Sequence, residues 1–189
     1  MTIIPKLAGV CGWPIHHSLS PLLHSHWLKA TGTAGAYIPF AVDPNDATQA
    51  FQSLKRTSIS GVNVTLPLKA QAFAAADVAT EDAQKLGVAN CLYKSRGQLV
   101  AHNTDLEGFV APLISAIGPT RVQGGSVLVI GAGGASRAVL GGLISLGVPE
   151  ICLINRTDAR AEDLVQQVDI PSLYTVPWEQ RQDVVSRSS

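Results

Sequence analysis

Short apolar segments alternate with helical patterns along the first half of the chain. Runs of apolar residues predict four buried strands, at Leu7 to Cys11, Ala36 to Ala41, Gly61 to Thr65 and Leu99 to His102. Helical spacing or alanine content predicts helices at Pro21 to Thr31, Pro44 to Thr57, Lys69 to Ala76 and Glu81 to Lys85. This alternation predicts an α/β domain with a mostly parallel sheet.

A second pattern of the same kind begins after a break in the chain. A helix from about Leu106 to Ile117 ends the first domain, residues 1–117, and glycine and proline interrupt the periodicity over residues 118–125, which we interpret as a linker. Residues 126–189 then predict strands at Val127 to Ile130, Ile151 to Ile154 and Leu173 to Val176, with helices at Ala135 to Leu146 and Asp158 to Val168. This order is typical of the first half of a Rossmann-type dinucleotide-binding domain.

Composition and charge narrow the class of partner. Fourteen basic residues balance fourteen acidic ones, so no net field favours nucleic acid or an anionic membrane, and a small molecule is the expected partner. The apolar stretch from Val127 to Val148 contains three glycines in its first half and Arg137 near its centre, which favours a strand, a turn and a packed helix over a membrane span. Three scattered cysteines and no signal peptide indicate a reducing, cytoplasmic location.

A glycine-rich turn follows the first strand of the second domain. Gly131, Ala132, Gly133, Gly134 and Ala135 join that strand to a helix, where a dinucleotide fold binds the pyrophosphate. Ser136 takes the place of the third glycine in G-x-G-x-x-G, so the match is imperfect. The surrounding order of strand, turn, helix and strand still favours a cofactor site over a simple tight turn.

The end of the second strand indicates which cofactor binds. An acidic residue there would bond the free ribose hydroxyls of NAD, whereas this chain has Asn155, Arg156 and Thr157, with Arg160 one turn further on. A guanidinium can pair with a 2′-phosphate, so we expect NADP. The alternative is that Arg156 is a solvated surface residue and Thr157 only caps a helix.

Three short motifs in the first domain contain candidate substrate ligands. Ser18 and Ser20 lie just before a helix whose first residue is predicted to be Pro21, with Ser20 as the N-cap. Hydroxyls at the start of a helix either cap it or bind a carboxylate. Thr65 ends a buried strand, and Lys69 stands in the opening turn of the next helix, where the dipole disfavours its charge. Asp105 opens a later helix and could orient Lys69, although singly it is more often a cap.

These motifs occur in the order S-x-S-P, N-V-T-x-P-x-K, an asparagine after L-G, N-T-D-x-x-G, G-A-G-G-A and N-R-T. Between Gly9 and about Val168 the chain resembles the shikimate dehydrogenases. The resemblance implies NADP-dependent reduction of 3-dehydroshikimate to shikimate, a step of aromatic amino acid biosynthesis. It implies that Ser18 and Ser20 hold the substrate carboxylate and that the ring hydroxyls contact the set Thr65, Lys69, Asn90 and Asp105. Lys69 and Asp105 are the implied catalytic pair.

Two departures from the family pattern affect these expectations. Cys91 follows Asn90 where the family usually has threonine, which alters a hydroxyl donor. The later family segments N-x-T-x-x-G-M and G-x-x-M-L-x-x-Q are absent, so we expect a partial cofactor domain with poor turnover. An unpaired sheet edge would favour aggregation or a homodimer.

Two other functions stay open on the sequence. One is an NAD-preferring quinate or shikimate dehydrogenase, which Arg156 without an acidic neighbour disfavours. The other is a truncated chain that binds ligand without turning it over. The five histidines match no zinc spacing, so we expect no metal site.

Overall fold

A computed structural model describes residues 5–187 of the chain. Its strands are β1 to β9, at Lys6–Gly12, Gly35–Ala41, Ile59–Val64, Val78–Ala79, Cys91–Ser95, Gln98–His102, Ser126–Ile130, Glu150–Ile154 and Leu173–Thr175. Its helices are α1 to α9, at Ser20–Ala30, Ala47–Ser53, Lys69–Ala75, Glu81–Leu86, Asp105–Ile117, Pro119–Gln123, Ser136–Ser145, Asp158–Val168 and Arg181–Arg187. Short 3₁₀ helices lie at Leu54–Arg56 and Trp178–Gln180. The predicted α/β fold with a mostly parallel sheet is therefore confirmed.

The first compact unit, up to Thr104, is built on a six-stranded sheet in the order β2-β1-β3-β5-β6-β4. The pairs β1-β2, β1-β3 and β4-β6 are parallel, and β5 runs antiparallel to both of its neighbours. The largest core of this unit surrounds Phe51, Leu68, Leu92 and Leu99, each at most 1% exposed. The loops that follow β1, β3 and β6 thus emerge at one edge of the sheet.

Two strands of this sheet lie outside the predicted set. Strand β5 forms a hairpin with β6 through a two-residue turn at Arg96 and Gly97, both with positive φ, as the register Ser95 to Gln98 requires. A Gly in such a turn is the available signal, but the apolar part of the strand is only three residues long, from Cys91 to Tyr93, which is too short to predict a strand. Strand β4 is only two residues long, which is too short for a periodic signal.

The second compact unit begins at Asp105 and contains the parallel sheet β7-β8-β9. Its core includes Leu140, Leu143, Ile151 and Leu153. The predicted elements of residues 126–189 are present in order, and helix α8 has the predicted bounds. The apolar stretch from Val127 forms a strand, a turn and a helix, and among the described residues no helix has the length and apolar composition to span a membrane.

The division between the units falls earlier than the linker predicted at residues 118–125. Residues Pro119–Gln123 form helix α6, with Pro119 in its first turn and Val122 buried, so that segment is not an irregular linker. Helix α5 packs on α7 because Gly142 has no side chain, and a Cβ there would lie 2.8 Å from Val110 and 3.0 Å from Phe109. This packing places residues 105–117 with the second unit.

Candidate functional site

The candidate substrate residues of the first unit lie at the sheet edge where β1, β3 and β6 end. Thr65 follows β3, and its N–H donates to the carbonyl of Cys11 at 2.9 Å. The N–H of Trp13 donates to the carbonyl of Leu66 at 3.2 Å, which joins the loop after β1 to the loop after β3. We name this region, formed by residues 13–20, 65–69, 89–90 and 103–104, the substrate edge.

Close approach at the substrate edge depends on Gly12, the last residue of β1. A Cβ at this position would lie 2.7 Å from Ile15 and 2.8 Å from the Thr65 methyl group. Any other residue would force the Ile15 and Thr65 side chains to shift. The glycine therefore lets these two side chains pack directly against the end of β1.

Ser18 and Ser20 stand at the start of helix α1, and both are half-buried. The N–H of Ser20 donates to the Ser18 hydroxyl oxygen at 3.3 Å, and Ser20 is the first helical residue. The prediction of Ser20 as N-cap is wrong, because Leu19 holds that position and makes no side-chain capping bond. The Ser18 hydroxyl instead accepts at the helix start, which leaves the Ser20 hydroxyl outside a capping role.

Lys69 is the first residue of helix α3, as predicted, and its side chain is half-buried. Its carbonyl accepts from the N–H of Ala89 at 3.0 Å, which sets the start of α3 beside Asn90. Asp105 is the first residue of helix α5 and follows directly after Thr104 of the substrate edge. The pairing of Lys69 with Asp105 stays a prediction.

Asn90 forms hydrogen bonds with two chain segments, the end of β3 and the residues at the end of β6. Its carbonyl accepts from Val64 at 2.8 Å, and its N–H donates to His102 at 3.1 Å. Its side chain donates to the Thr104 hydroxyl at 2.9 Å and accepts from the Thr104 N–H at 3.0 Å. Asn90 thereby connects the end of β3 to the N-T-D segment.

Sequence reasoning assigned no role to two residues that build this arrangement. Asn103 is 1% exposed and donates to the carbonyl of Val88 at 3.1 Å, and Thr104 is the partner of Asn90. Their position in the N-T-D motif was the available signal, but a role was assigned only to the charged residue, Asp105. Their hydrogen bonds fix the backbone immediately before Asp105.

Burial raises the pKa of three side chains in the first unit. Burial raises the pKa of the Cys11 thiol to about 12. Burial is also the first cause that raises the pKa of Tyr37 to about 12, and its hydroxyl donates to Asn63 at 2.7 Å. Burial likewise raises the pKa of the Cys91 thiol. Across residues 5–187, histidine, cysteine, aspartate and glutamate side chains form no cluster of three suited to a metal ion.

In the second unit, the glycine-rich turn lies between β7 and α7, as predicted. Gly131 has a φ of 113°, a conformation that favours glycine, and its N–H donates to the carbonyl of Ile154 at 2.7 Å. Gly133, Gly134 and Ala135 are exposed. A Cβ on Gly131 or Gly133 would meet no described atom within 4 Å, so packing within the protein does not demand glycine at these positions. The turn therefore has the open surface that a pyrophosphate needs.

The residues after β8 have two different environments. The side chain of Asn155 accepts from the N–H of Ala132 at 3.1 Å and donates to the carbonyl of Thr157 at 2.8 Å, so its amide binds the protein. Arg156, Thr157 and Arg160 are exposed, and Thr157 is the residue before helix α8. The two arginines thus offer positive charge close in sequence to the turn-binding Asn155.

Comparisons with known proteins match both parts of the chain. A sequence model of the shikimate dehydrogenase substrate binding domain matches residues 10–92, and a model of shikimate / quinate 5-dehydrogenase matches residues 114–188. A curated shikimate dehydrogenase (NADP(+)) from Ruegeria sp. is 42% identical over 184 residues, which are 97% of this chain and 66% of the relative. The chain thus spans a little under two thirds of that relative.

Solved structures give the same relationship. The crystal structure of shikimate dehydrogenase from Aquifex aeolicus has a TM-score of 0.86 and 33% identity, covering 100% of this chain and 68% of that one. Shikimate 5-dehydrogenase from Thermus thermophilus, in complex with NADP(H) and shikimate, has a TM-score of 0.74 and 33% identity, covering 94% of this chain and 65% of that one. The chain therefore belongs to the shikimate dehydrogenase family.

Proposed function

We propose that this chain provides the substrate-binding part and the NADP-binding turn of an enzyme that interconverts 3-dehydroshikimate and shikimate. The observation that carries the proposal is the substrate edge, where Ser18, Ser20, Thr65, Lys69 and Asn90 are all half-buried around one end of the sheet. Hydroxyls, an amide and an ammonium suit a polyhydroxylated ring acid, since each can bond a ring hydroxyl or the carboxylate. The Thermus thermophilus relative is in complex with shikimate, which supports the same class of ligand.

The proposed roles follow from donor and acceptor chemistry. The Ser18 and Ser20 hydroxyls bind the carboxylate at the start of α1, where spare N–H groups and the helix dipole favour an anion. Thr65 and Asn90 bind ring hydroxyls. Lys69 holds a proton at the substrate's 3-keto oxygen, which becomes the hydroxyl of shikimate, and Asp105 orients Lys69 as the second member of the catalytic pair. NADPH, when bound, supplies the hydride.

The turn at residues 131–135 and the exposed arginines support NADP as the cofactor. Open glycine positions accept the pyrophosphate, and Arg156 and Arg160 pair with the 2′-phosphate. Asn155 and Thr157 contribute to the site by holding the strand end against the turn. A second candidate is a quinate dehydrogenase, because the model that matches residues 114–188 covers both shikimate and quinate enzymes.

Binding and turnover together test the proposal. Isothermal titration of the purified chain should show binding of shikimate and weaker binding of quinate, and Ser18→Ala and Thr65→Ala should each weaken shikimate binding about tenfold. Loss of absorbance at 340 nm with NADPH and 3-dehydroshikimate measures turnover, which Lys69→Ala should lower by about 10² to 10⁴. Tighter binding of quinate would favour the second candidate. Binding of shikimate with little turnover would agree with the expected partial cofactor domain, whereas an unmodified chain that binds neither acid would contradict the proposal.

A further inference from the structure

Ser136 closes the glycine-rich turn upon itself. Its hydroxyl accepts from the N–H of Gly133 at 2.9 Å and donates to the carbonyl of Gly131 at 2.7 Å. The N–H of Ser136 donates to the carbonyl of Gly133 at 3.1 Å. With 8% exposure and its single hydroxyl proton already donated, Ser136 acts on the shape of the turn and not as a direct ligand.

Asn155 holds the same turn from the neighbouring strand. Its side-chain oxygen accepts from the N–H of Ala132 at 3.1 Å, across a sequence separation of 23 residues. The other end of its amide is fixed by a bond to the carbonyl of Thr157. Hydrogen bonds therefore fix the turn at two places, one made by Ser136 at the start of α7 and one made by Asn155 directly after β8.

These bonds divide the N–H groups of the turn into two classes. The N–H groups of Gly131, Ala132 and Gly133 are bonded to Ile154, Asn155 and Ser136, respectively. Across residues 5–187, those of Gly134 and Ala135 have no hydrogen-bond partner, and both residues are exposed. Two adjacent N–H groups without partners, in exposed residues at the start of the ten-residue helix α7, suit phosphate oxygens.

We propose that Ser136 and Asn155 are positioning residues that leave the Gly134 and Ala135 N–H groups as the donors to the cofactor's phosphates. This inference rests on the proposed NADP function. Without the Ser136 hydroxyl, the Gly133 N–H and the Gly131 carbonyl lose their common partner, and the turn samples other conformations. Cofactor binding must then order the turn, which weakens affinity because fixing backbone dihedrals costs free energy.

Two ligands separate positioning of the turn from a general structural role. NADP⁺ contains the pyrophosphate, whereas adenosine 2′-monophosphate has the 2′-phosphate and no pyrophosphate. Titration of the 189-residue chain with each ligand should show that Ser136→Ala weakens NADP⁺ binding about tenfold, equivalent to 1.4 kcal/mol, with adenosine 2′-monophosphate binding unchanged within twofold. Ser136→Thr keeps the hydroxyl and should recover most of the NADP⁺ affinity.

A parallel variant and a folding control complete the test. Asn155→Ala should show the same selective loss, because it releases the Ala132 N–H. Arg156→Ala should instead weaken both ligands, since each contains the 2′-phosphate. Thermal unfolding without ligand reports folding: a positioning role predicts the ligand-selective loss in Ser136→Ala even where the melting temperature is unchanged.

Three outcomes would overturn the inference. If Ser136→Ala binds NADP⁺ as tightly as the unmodified chain, the positioning role is wrong while the proposed function stands. If both ligands weaken equally in Ser136→Ala and Asn155→Ala, the two side chains serve general stability only. If the unmodified chain binds neither ligand, the proposed NADP function fails and the inference fails with it.

Discussion

At the scale of single residues, neighbours at the end of β8 have different chemical environments. Asn155 uses its amide to hold the glycine-rich turn, whereas Arg156 is exposed. Both were predicted as cofactor ligands from the same three-residue motif. Sequence alone does not separate them, because an asparagine that donates to a ligand and one that bonds the backbone look identical in a motif.

The exposed Arg156 leads to a prediction about cofactor preference. Only NADP offers a phosphate dianion to its guanidinium, and hydrogen bonds between charged groups contribute about 1.5–3 kcal/mol. We therefore expect Arg156→Ala to weaken NADP⁺ binding about 10- to 100-fold and to leave NAD⁺ binding nearly unchanged. Titration with both cofactors, followed by protein fluorescence, measures the difference.

A matched control for this variant is Arg56→Ala, which removes the same charge from an exposed position in the first unit. It should change neither affinity by more than about twofold, because exposed charges are screened by salt. Equal affinities of the unmodified chain for NADP⁺ and NAD⁺ would contradict the predicted discrimination.

At the scale of elements, Asp77 connects the 3₁₀ helix after α2 to the sheet. Its carboxylate accepts from the N–H of Leu99 in β6 at 2.9 Å and from the Lys55 ammonium at 2.8 Å. The hydrogen bond from Leu99, followed by that from Lys55, lowers the pKa of Asp77 below its usual 3.8. The carboxylate therefore stabilises the fold above pH 3.8, and that contribution is lost as pH falls through the lowered pKa.

Asp77→Asn tests this pH dependence. We expect the variant to be less stable than the unmodified chain at pH 7, with the difference shrinking as the pH falls below about 4. Urea unfolding at several pH values measures it. Glu81→Gln is the control, since Glu81 and Lys85 form a salt bridge with side chains 80% and 61% exposed, and its loss should change stability little at any pH. A difference between Asp77→Asn and the unmodified chain that stays constant down to pH 2 would contradict the role of ionised Asp77.

Packing of α5 on α7 depends on Gly142. Valine at this position would force Val110 and Phe109 to move, and overpacking of this kind typically costs about 1–3 kcal/mol. We expect Gly142→Val to lower the free energy of unfolding of the second unit by about 2 kcal/mol. Thermal unfolding followed by circular dichroism gives the measurement.

Gly108 in α5 supplies the opposite case. A Cβ there meets no described atom within 4 Å, so Gly108→Ala gains helix propensity with no clash and should stabilise by about 0.5–1 kcal/mol. If Gly142→Val leaves the melting temperature unchanged or raises it, close packing at Gly142 is not what holds α5 against α7.

The predictable elements share a strong local signal. Helix α8 has a polar face and an apolar face, and its observed bounds agree with the approximate bounds predicted from the sequence. Strand β5 and helix α6 were missed for physical reasons: the strand is stabilised by its neighbours β3 and β6, and the helix is one short turn that buries a single Val122. Asn103, Thr104 and Ser136 were missed because they act through hydrogen bonds to or from backbone atoms that come together only in the folded protein.

At the scale of the whole molecule, each compact unit has its own sheet and core. The six-stranded sheet and the cluster around Phe51 and Leu92 belong to the unit up to Thr104, and the three-stranded sheet with Leu140 and Leu153 belongs to the unit from Asp105. A domain with its own core can fold alone, and about 100 residues is a common domain size. The first unit also contains Ser18, Ser20, Thr65, Lys69 and Asn90, which are five of the six proposed substrate ligands.

We therefore expect residues 1–104 alone to unfold cooperatively and to bind shikimate about tenfold more weakly than the whole chain. The shorter chain lacks Asp105, the sixth proposed substrate ligand. A hydrogen bond to a charged group typically contributes about 1.5–3 kcal/mol, and the lower end of that range corresponds to the tenfold loss. Thermal unfolding by circular dichroism and titration calorimetry with shikimate measure the two properties. Asp105→Asn in the whole chain should weaken shikimate binding to a similar extent if the shorter chain loses only that contact. Ser18→Ala in the 104-residue chain should reduce the remaining affinity further, because the hydroxyl at the start of α1 is retained there. A broad, non-cooperative transition, or shikimate binding that Ser18→Ala leaves unchanged, would show that the substrate edge does not form without the second unit.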